Sequence, residues 1–131
     1  MPYMIEWRER GVYWTYTGTL TGEDLLQSNF EIYGDERFDD LTYQIVNLLE
    51  VDKVDVSENH MRKVAHLDMA AARSNKRIRI AVVARTPEAI ALNTLYEKYV
   101  SGDSWPSRLF ETVEEAEAWI HAPRDLYPPE Q

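Results

Sequence analysis

The residues best suited to chemistry in this chain lie between positions 57 and 85. Ser57, His60 and Asp68 are of the types that act as nucleophile, base and orienting acid in serine hydrolases. The sequence around Ser57 lacks the Gly-x-Ser-x-Gly turn that exposes such a nucleophile in α/β-hydrolases. His60 and His66 are separated by about 600° of helical rotation, so they lie on different faces. We therefore expect no catalytic activity, no metal site and no cofactor.

Charge and composition narrow the classes of partner. The 131 residues include 14 basic and 23 acidic ones, for a net charge of −9, and no cysteine. A nucleic-acid partner is not expected, since binding phosphates needs a basic surface. Without cysteine the chain forms no disulfide and no thiolate site. The longest wholly apolar run is 80–84, far too short for a membrane span. We expect a cytoplasmic protein.

One basic region stands out on this acidic chain. Residues 60–85 hold seven bases and one acid, a local charge of +6. Arg73 and Lys76 complement the dipole at the end of a predicted helix. The same region offers a surface for an anionic membrane or for acidic residues of a second copy, which would give a homodimer.

Hydrophobic periodicity indicates the elements that position these residues. The stretch 77–84 reads as a strand whose second half, 80–84, is apolar at every position, which is typical of a central parallel strand covered by helices on both faces. Residues 3–8 and 12–16 alternate as a hairpin, with a turn in which Gly11 supplies positive φ. The predicted order is ββαβαβαβα, an α/β domain over residues 1–122 with five strands and four helices. Residues 123–131 form a proline-rich tail.

Cap residues and apolar stripes indicate the helices. Thr21, Ser57, Thr86 and Thr112 are predicted N-caps. Inward-facing residues of the first helix are expected to be Leu26, Phe30 and Tyr33. The stripe of the second helix consists of Met61, Val64, Ala65, Asp68, Ala71 and Ala72.

Asp68 is the charged member of an otherwise apolar stripe. A buried carboxylate must be paired, hydrogen-bonded or functional. One interpretation is a structural salt bridge with an arginine of the basic region. The other is a polar anchor in a ligand cavity, because the small alanines beside it leave space between helix and sheet.

Two further groups of residues are candidates for binding. Arg85 follows the central strand at its carboxyl end, where open α/β sheets bind ligands. Aromatic residues with buried-face spacing either fill the core or line an apolar pocket; those assigned to the pocket are Trp14, Tyr16, Tyr96 and Tyr99.

Several stretches together resemble the SpoIIAA-like (STAS-like) family. They are residues 16–25 (YTGTLTGEDL), 43–48 (YQIVNL), 67–72 (LDMAAA), 80–84 (IAVVA) and 110–120 (FETVEEAEAWI). The resemblance covers residues 3 to about 120. It implies a mixed five-stranded sheet with helices packed on it. Some relatives are similar to the lipid-binding CRAL-TRIO fold, whereas others are anti-sigma-factor antagonists.

In the antagonists a serine in an Asp-Ser-Ser-Gly turn is phosphorylated. Asp55 and Ser57 match that turn, whereas Val56 and Glu58 do not. Ser57 is thus a candidate phosphorylation site, and the alternative is an ordinary helix cap.

Two functional hypotheses result. The first is a non-enzymatic domain that binds a small apolar or lipid-like ligand through Trp14, Tyr16, Tyr96 and Tyr99, with Asp68 or Arg85 holding a polar group, and that associates peripherally with membranes. The second is a regulatory module that binds a partner protein through Ser57.

Overall fold

The five strands lie in the sheet in the same order as in the chain. The structure, a computed structural model, describes residues 3–100 and 104–123. The strands are β1 (Tyr3–Arg8), β2 (Gly11–Thr21), β3 (Tyr43–Asp55), β4 (Arg79–Val83) and β5 (Ser107–Phe110). The helices are α1 (Gly22–Tyr33), α2 (Glu58–Ser74), α3 (Pro87–Tyr99) and α4 (Val113–His121), with a short 3₁₀ helix at Glu36–Asp40. The predicted element order is confirmed, whereas the tail beyond Pro123 lies outside the described residues.

The sheet is mixed, because β1 is antiparallel to β2 and the remaining neighbours are parallel. Each connection between parallel strands leads to the adjacent strand, always towards the same edge of the sheet. Since such crossovers are right-handed, α1, α2 and α3 must lie on one face of the sheet. Helix α4 follows the last strand and covers the opposite face.

Strand β4 is buried on both faces, as its apolar sequence predicts. Ile80 and Val82 belong to the core formed with α1, α2 and α3, whereas Ala81 and Val83 contact the residues of α4. All five residues of β4 are buried. The first of them is Arg79, and the apolar run that follows it is stable only where helices cover the strand on both sides.

All four predicted N-caps are confirmed. The hydroxyl oxygens of Thr21, Ser57, Thr86 and Thr112 each accept a hydrogen bond from the backbone N–H three residues later. Each bond satisfies one of the N–H groups that a helix start leaves unpaired.

The hairpin turn differs from the prediction in the residue that takes positive φ. Arg10, at φ 61°, adopts the left-handed conformation, not Gly11. Gly11 starts β2 and lies under the ring of Tyr43, where an added Cβ would come within 2.0 Å of ring atom Cζ. The glycine is therefore required by close packing and not by the turn.

The buried face of α1 also differs from the prediction. Phe30 is 55% exposed, so the expectation that it faces inward was wrong. The buried face of α1 instead consists of Leu25 and Ile32 together with the polar Ser28 and Asn29, which apolar periodicity misses. The Ser28 hydroxyl lies 2.6 Å from the Tyr16 hydroxyl, and the Asn29 amide donates to the carbonyl of Leu25 at 2.7 Å. These bonds allow the polar residues to face the sheet.

Candidate functional site

The side chain of Asp68 lies in the core between α2, its neighbouring helices and the sheet, and only 5% of the residue is exposed. Its Oδ2 accepts a hydrogen bond of 2.5 Å from the hydroxyl of Tyr96 on α3. Its Oδ1 accepts one from the hydroxyl of Tyr33 on α1. Asp68 is thus held by two phenols, whereas one interpretation of the sequence was a salt bridge with an arginine.

Burial governs the ionisation of this cluster. It raises the pKa of Asp68 to about 6, although hydrogen bonds from Tyr33 and Tyr96 oppose the shift. The pKa values of Tyr33 and Tyr96 are well above their usual value, mainly through burial and secondly through the Asp68 charge. Both phenols therefore stay protonated and act as donors near neutral pH.

A cavity of about 80 Å³ lies beside Asp68, between the sheet and the three helices. Its floor comes from β2, β3 and β4, and its other walls come from α1, α2 and α3. Most of its lining is aliphatic. Of the residues predicted to bind a ligand, the cavity is lined by Trp14, Asp68 and Tyr96.

Three amide side chains that the sequence interpretation missed also line this cavity. They are Asn29 on α1, Gln44 on β3 and Asn93 on α3. All three are buried. Gln44 is a polar residue within the largely apolar stretch Tyr43–Leu49, and this is the sequence feature from which its position in the cavity wall could have been predicted. Asn29 and Asn93 could be identified as cavity residues only from the fold, which places them against the sheet.

The remaining predicted ligand residues lie elsewhere. Tyr16 is fully buried and hydrogen-bonded to Ser28. Arg85 is exposed, and its Nε donates to the carbonyl of Glu111 at 2.9 Å. The Tyr99 hydroxyl donates to the carboxylate of Glu58 near the start of α2. None of the three is among the residues that line the cavity.

Ser57 is exposed at the start of α2, beside the end of β3. Its Oγ accepts a hydrogen bond of 3.1 Å from the backbone N–H of His60 and lies 2.9 Å from His60 Nδ1. The Ser57 backbone N–H donates to the same Nδ1 at 3.2 Å. Serine and histidine therefore form a reciprocal capping box.

The ring of His60 is fixed by its surroundings. Its Nε2 lies 3.3 Å from a carboxylate oxygen of Glu23 on α1. A Cβ at Gly22 would lie 2.0 Å from Nδ1, so the imidazole occupies the space above that glycine. Ser57, His60 and Glu23 thus contact one another in sequence at the surface. Asp68, which the sequence offered as the acid of such a group, is instead bound to Tyr33 and Tyr96.

Comparison with known proteins defines the fold. No family model and no curated protein matches the sequence. Among solved structures, the anti-sigma factor antagonist SpoIIAA in its unphosphorylated form matches with a TM-score of 0.60 and 15% identity, over 88% of this chain and 93% of that chain. The Bacillus cell fate determinant SpoIIAA in its phosphorylated form matches with a TM-score of 0.56 and 14% identity, over 91% and 99%.

A third match is an uncharacterized protein with a SpoIIAA-like fold from Shewanella loihica PV-4. Its TM-score is 0.52 at 17% identity, over 90% of this chain and 91% of that chain. The chain therefore has the SpoIIAA-like α/β fold that its sequence resembles. None of the helices within the described residues is long and apolar enough to span a membrane.

Proposed function

We propose that the chain is a non-enzymatic protein-interaction module, and that modification of Ser57 controls its binding to a partner protein. The observation that carries the proposal is the exposed Ser57 hydroxyl at the N-cap of α2. Support comes from the fold, since the solved structures it resembles include SpoIIAA in an unphosphorylated and a phosphorylated form.

The start of α2 is chemically suited to a phosphate. The first N–H groups of a helix and its dipole favour an anion at this position. Phosphorylation of Ser57 replaces the hydroxyl that now contacts His60, so the reciprocal cap must rearrange. The imidazole of His60 then lies next to the added negative charge. The modification thereby changes both the charge and the local structure of an exposed surface.

The acidic residues beside Ser57 repel a phosphate group less strongly than their number suggests. Glu58 accepts hydrogen bonds from the Tyr99 hydroxyl and from Lys98 Nζ, the latter at 3.3 Å. These two contacts hold the pKa of Glu58 below its usual value, with Tyr99 the larger cause. The Glu58 charge is therefore directed to α3, whereas Asp55 and Glu23 remain as acids close to this end of the helix.

An exposed apolar groove along the same helix supplies a docking surface. The groove lies between α1 and α2 and is lined by Leu26, Phe30, Lys63, His66, Leu67 and Ala70. Phe30 is more than half exposed there and is contiguous with Leu26 and Leu67, and contiguous apolar patches of this kind mark contact sites. Lys63 favours a protein partner that places an apolar side chain in the groove with a carboxylate beside it.

The test compares Ser57→Ala with Ser57→Asp in quantitative affinity purification from the native host. Both serine and aspartate cap helices well, so Ser57→Asp adds charge without removing the cap. We expect a partner that Ser57→Ala retains and Ser57→Asp loses, followed by a matching affinity difference with purified components. If unmodified Ser57 is found throughout and both variants bind alike, Ser57 is only a cap.

The groove has its own test. Phe30→Ser should weaken partner binding at unchanged stability, because Phe30 adds little to the core. Met4→Ser is the matched control, since Met4 is 69% exposed on β1, away from the groove. Equal affinity of the two variants would exclude the groove as the docking surface.

The hypothesis of a lipid-like ligand gains no support from the resembling structures. A cavity of about 80 Å³ is far below the roughly 300 Å³ at which ligand pockets usually begin. Membrane association, a homodimer and cytoplasmic location stay predictions.

A further inference from the structure

The sheet ends at β1 on one side and at β5 on the other, and the two edge strands differ. Strand β5 has four residues, whereas β1 has six and pairs with β2 without a bulge. Proteins usually protect a regular edge strand with proline, a bulge or charged side chains, because its outer N–H and C=O groups can pair with another chain. Strand β1 contains no proline, and its two charged residues, Glu6 and Arg8, form an ion pair with each other at 2.7 Å. Its edge is therefore weakly protected.

Backbone alternation identifies the residues of β1 that face outward. The Arg10 carbonyl accepts a hydrogen bond of 2.7 Å from the Thr42 N–H, just before β3. Alternate residues of a strand direct their backbone groups to opposite neighbours, so Gly11 directs its groups to β1 and bonds its partner Arg8. Counted back from Arg8 in steps of two, positions 8, 6 and 4 bond to β2. The residues whose N–H and C=O groups point away from β2 are Tyr3, Ile5 and Trp7.

A second copy can pair antiparallel with this edge about a twofold axis, and one register suits the side chains best. With Ile5 opposite Ile5 of the second copy, Tyr3 lies opposite Trp7 of that copy. Aromatic and β-branched side chains directly opposite each other stabilise a strand pair. On the other face of the sheet, Glu6 lies opposite Met4, so no like charges meet. An axis at Glu6 would instead bring two glutamates together.

The charged side chains next to this edge are complementary in the same register. The Arg37 guanidinium lies 4.1 Å from the centroid of the Trp7 ring, and the Glu31 carboxylate accepts from the Tyr3 hydroxyl at 2.6 Å. Because Trp7 lies opposite Tyr3 of the second copy, Arg37 comes close to Glu31 of that copy, and the twofold axis repeats the contact. Arg37 uses Nε and Nη2 for Asp35, which leaves Nη1 available for this carboxylate. An axis at Trp7 would bring the two Arg37 groups together.

We propose that the protein forms a symmetric homodimer by antiparallel pairing of β1 with β1 of a second copy, centred on Ile5. The pairing joins two five-stranded sheets into one continuous sheet. Arg37 of each copy pairs with Glu31 of the other and thereby selects the register. The interface does not use the basic region 60–85, and it does not depend on modification of Ser57.

A charge exchange between the two copies tests the interface in sedimentation velocity. We expect the wild type to show a reversible monomer–dimer equilibrium in the micromolar range, as small interfaces give. Glu31→Lys and Arg37→Glu should each weaken the dimer about tenfold, because each substitution places like charges at both symmetric contacts. A mixture of the two variants should restore association, since every contact in the mixed dimer joins opposite charges.

Backbone pairing has a test within β1 itself. Amide hydrogen exchange at Ile5 should slow as the protein concentration rises, because its N–H group faces the second copy. Exchange at Glu6, whose N–H group is used by β2, should not depend on concentration and is the matched control. Ile5→Pro removes only an outward N–H group, a position where edge strands accept proline, so this variant should be a folded monomer. The charge exchange decides the question if Ile5→Pro does not fold.

Three outcomes would overturn the proposal. A wild type that stays monomeric at millimolar concentration forms no such interface. A dimer that survives Ile5→Pro and dissociates in Arg73→Glu would use the basic region 60–85 instead. If both charge variants keep the wild-type affinity and exchange at Ile5 does not depend on concentration, the two copies meet at another surface.

Discussion

The hydroxyl of Tyr96 on α3 donates a hydrogen bond of 2.5 Å to Oδ2 of Asp68 on α2. Tyr33 donates to the other oxygen of the same carboxylate from α1. One aspartate thereby connects the three helices that cover one face of the sheet. The relative position of these helices consequently depends on a hydrogen-bonded group in addition to apolar packing.

This arrangement predicts a particular dependence of stability on pH. Burial raises the pKa of Asp68 from 3.8 to about 6, so between these values the folded state binds more protons than the unfolded state. The free energy of unfolding should therefore fall as the pH rises through this range. A shift of this size corresponds to about 3 kcal/mol of stability, which is fully present below about pH 4 and fully lost above about pH 6.

Asp68→Asn isolates that contribution. The amide cannot ionise and still accepts from one tyrosine, so the variant should equal or exceed the wild type in stability at pH 7. Urea unfolding at pH 4, 5, 6 and 7 measures the difference between the two proteins. A difference that does not change with pH would contradict the raised pKa.

A second prediction concerns the cap at Ser57. Ser57→Ala removes the acceptor for the His60 backbone N–H and should lower the free energy of unfolding by about 1 kcal/mol. Ser57→Asp should preserve it, because a carboxylate also caps. Thermal or denaturant unfolding of both variants checks this. Equal destabilisation by both substitutions would mean that the hydroxyl has no capping role.

A third prediction couples Gly22 to His60. A helix start usually tolerates alanine, but here the new Cβ would lie 2.0 Å from the imidazole Nδ1. Gly22→Ala should destabilise the protein by about 1–3 kcal/mol, since the ring must leave its position. In a His60→Ala background the same change should cost little. A double-mutant cycle without coupling would refute the proposed contact.

A fourth prediction follows from the turn between β1 and β2. Arg10 has φ 61°, a conformation that costs an ordinary residue about 1–2 kcal/mol. Arg10→Gly relieves this strain but adds freedom to the unfolded chain, so we expect a net gain of about 0.5–1 kcal/mol. Glu9→Gly, the neighbouring change without positive φ, should slightly destabilise. Denaturation midpoints of the two variants compare them directly.

Short-range patterns in the sequence were sufficient to predict the elements and their order, but not all of their limits, since β2 continues to Thr21 and β3 to Asp55. An N-cap is recognisable from residues three positions apart. A run of consecutive apolar residues, as in most of β4, is enough to predict that helices cover both faces of the strand. The burial of Asp68 followed from helical spacing in the same way. The hydrogen-bond partners of Asp68 could not be predicted in this way, because Tyr33 and Tyr96 contact Asp68 only after three helices have packed together.

The same limit explains the errors at the first helix. Phe30 is apolar enough to indicate a buried position, yet hydrogen bonds with Tyr16 and the backbone bring Ser28 and Asn29 inside instead. Gln44 and Trp14 were likewise readable as core residues individually. That both residues line one cavity depends on strand register, which residue types do not encode.

The sheet order has a consequence for how the chain acquires its structure. Each new strand pairs with the strand made just before it, so every pairing can form as soon as one crossover has been synthesised. No strand waits for a distant segment to be inserted beside it, which keeps the loop-closure entropy of each step small. The domain can therefore fold progressively on the ribosome, from the β1–β2 hairpin towards β5, with few unpaired apolar strands exposed to aggregation.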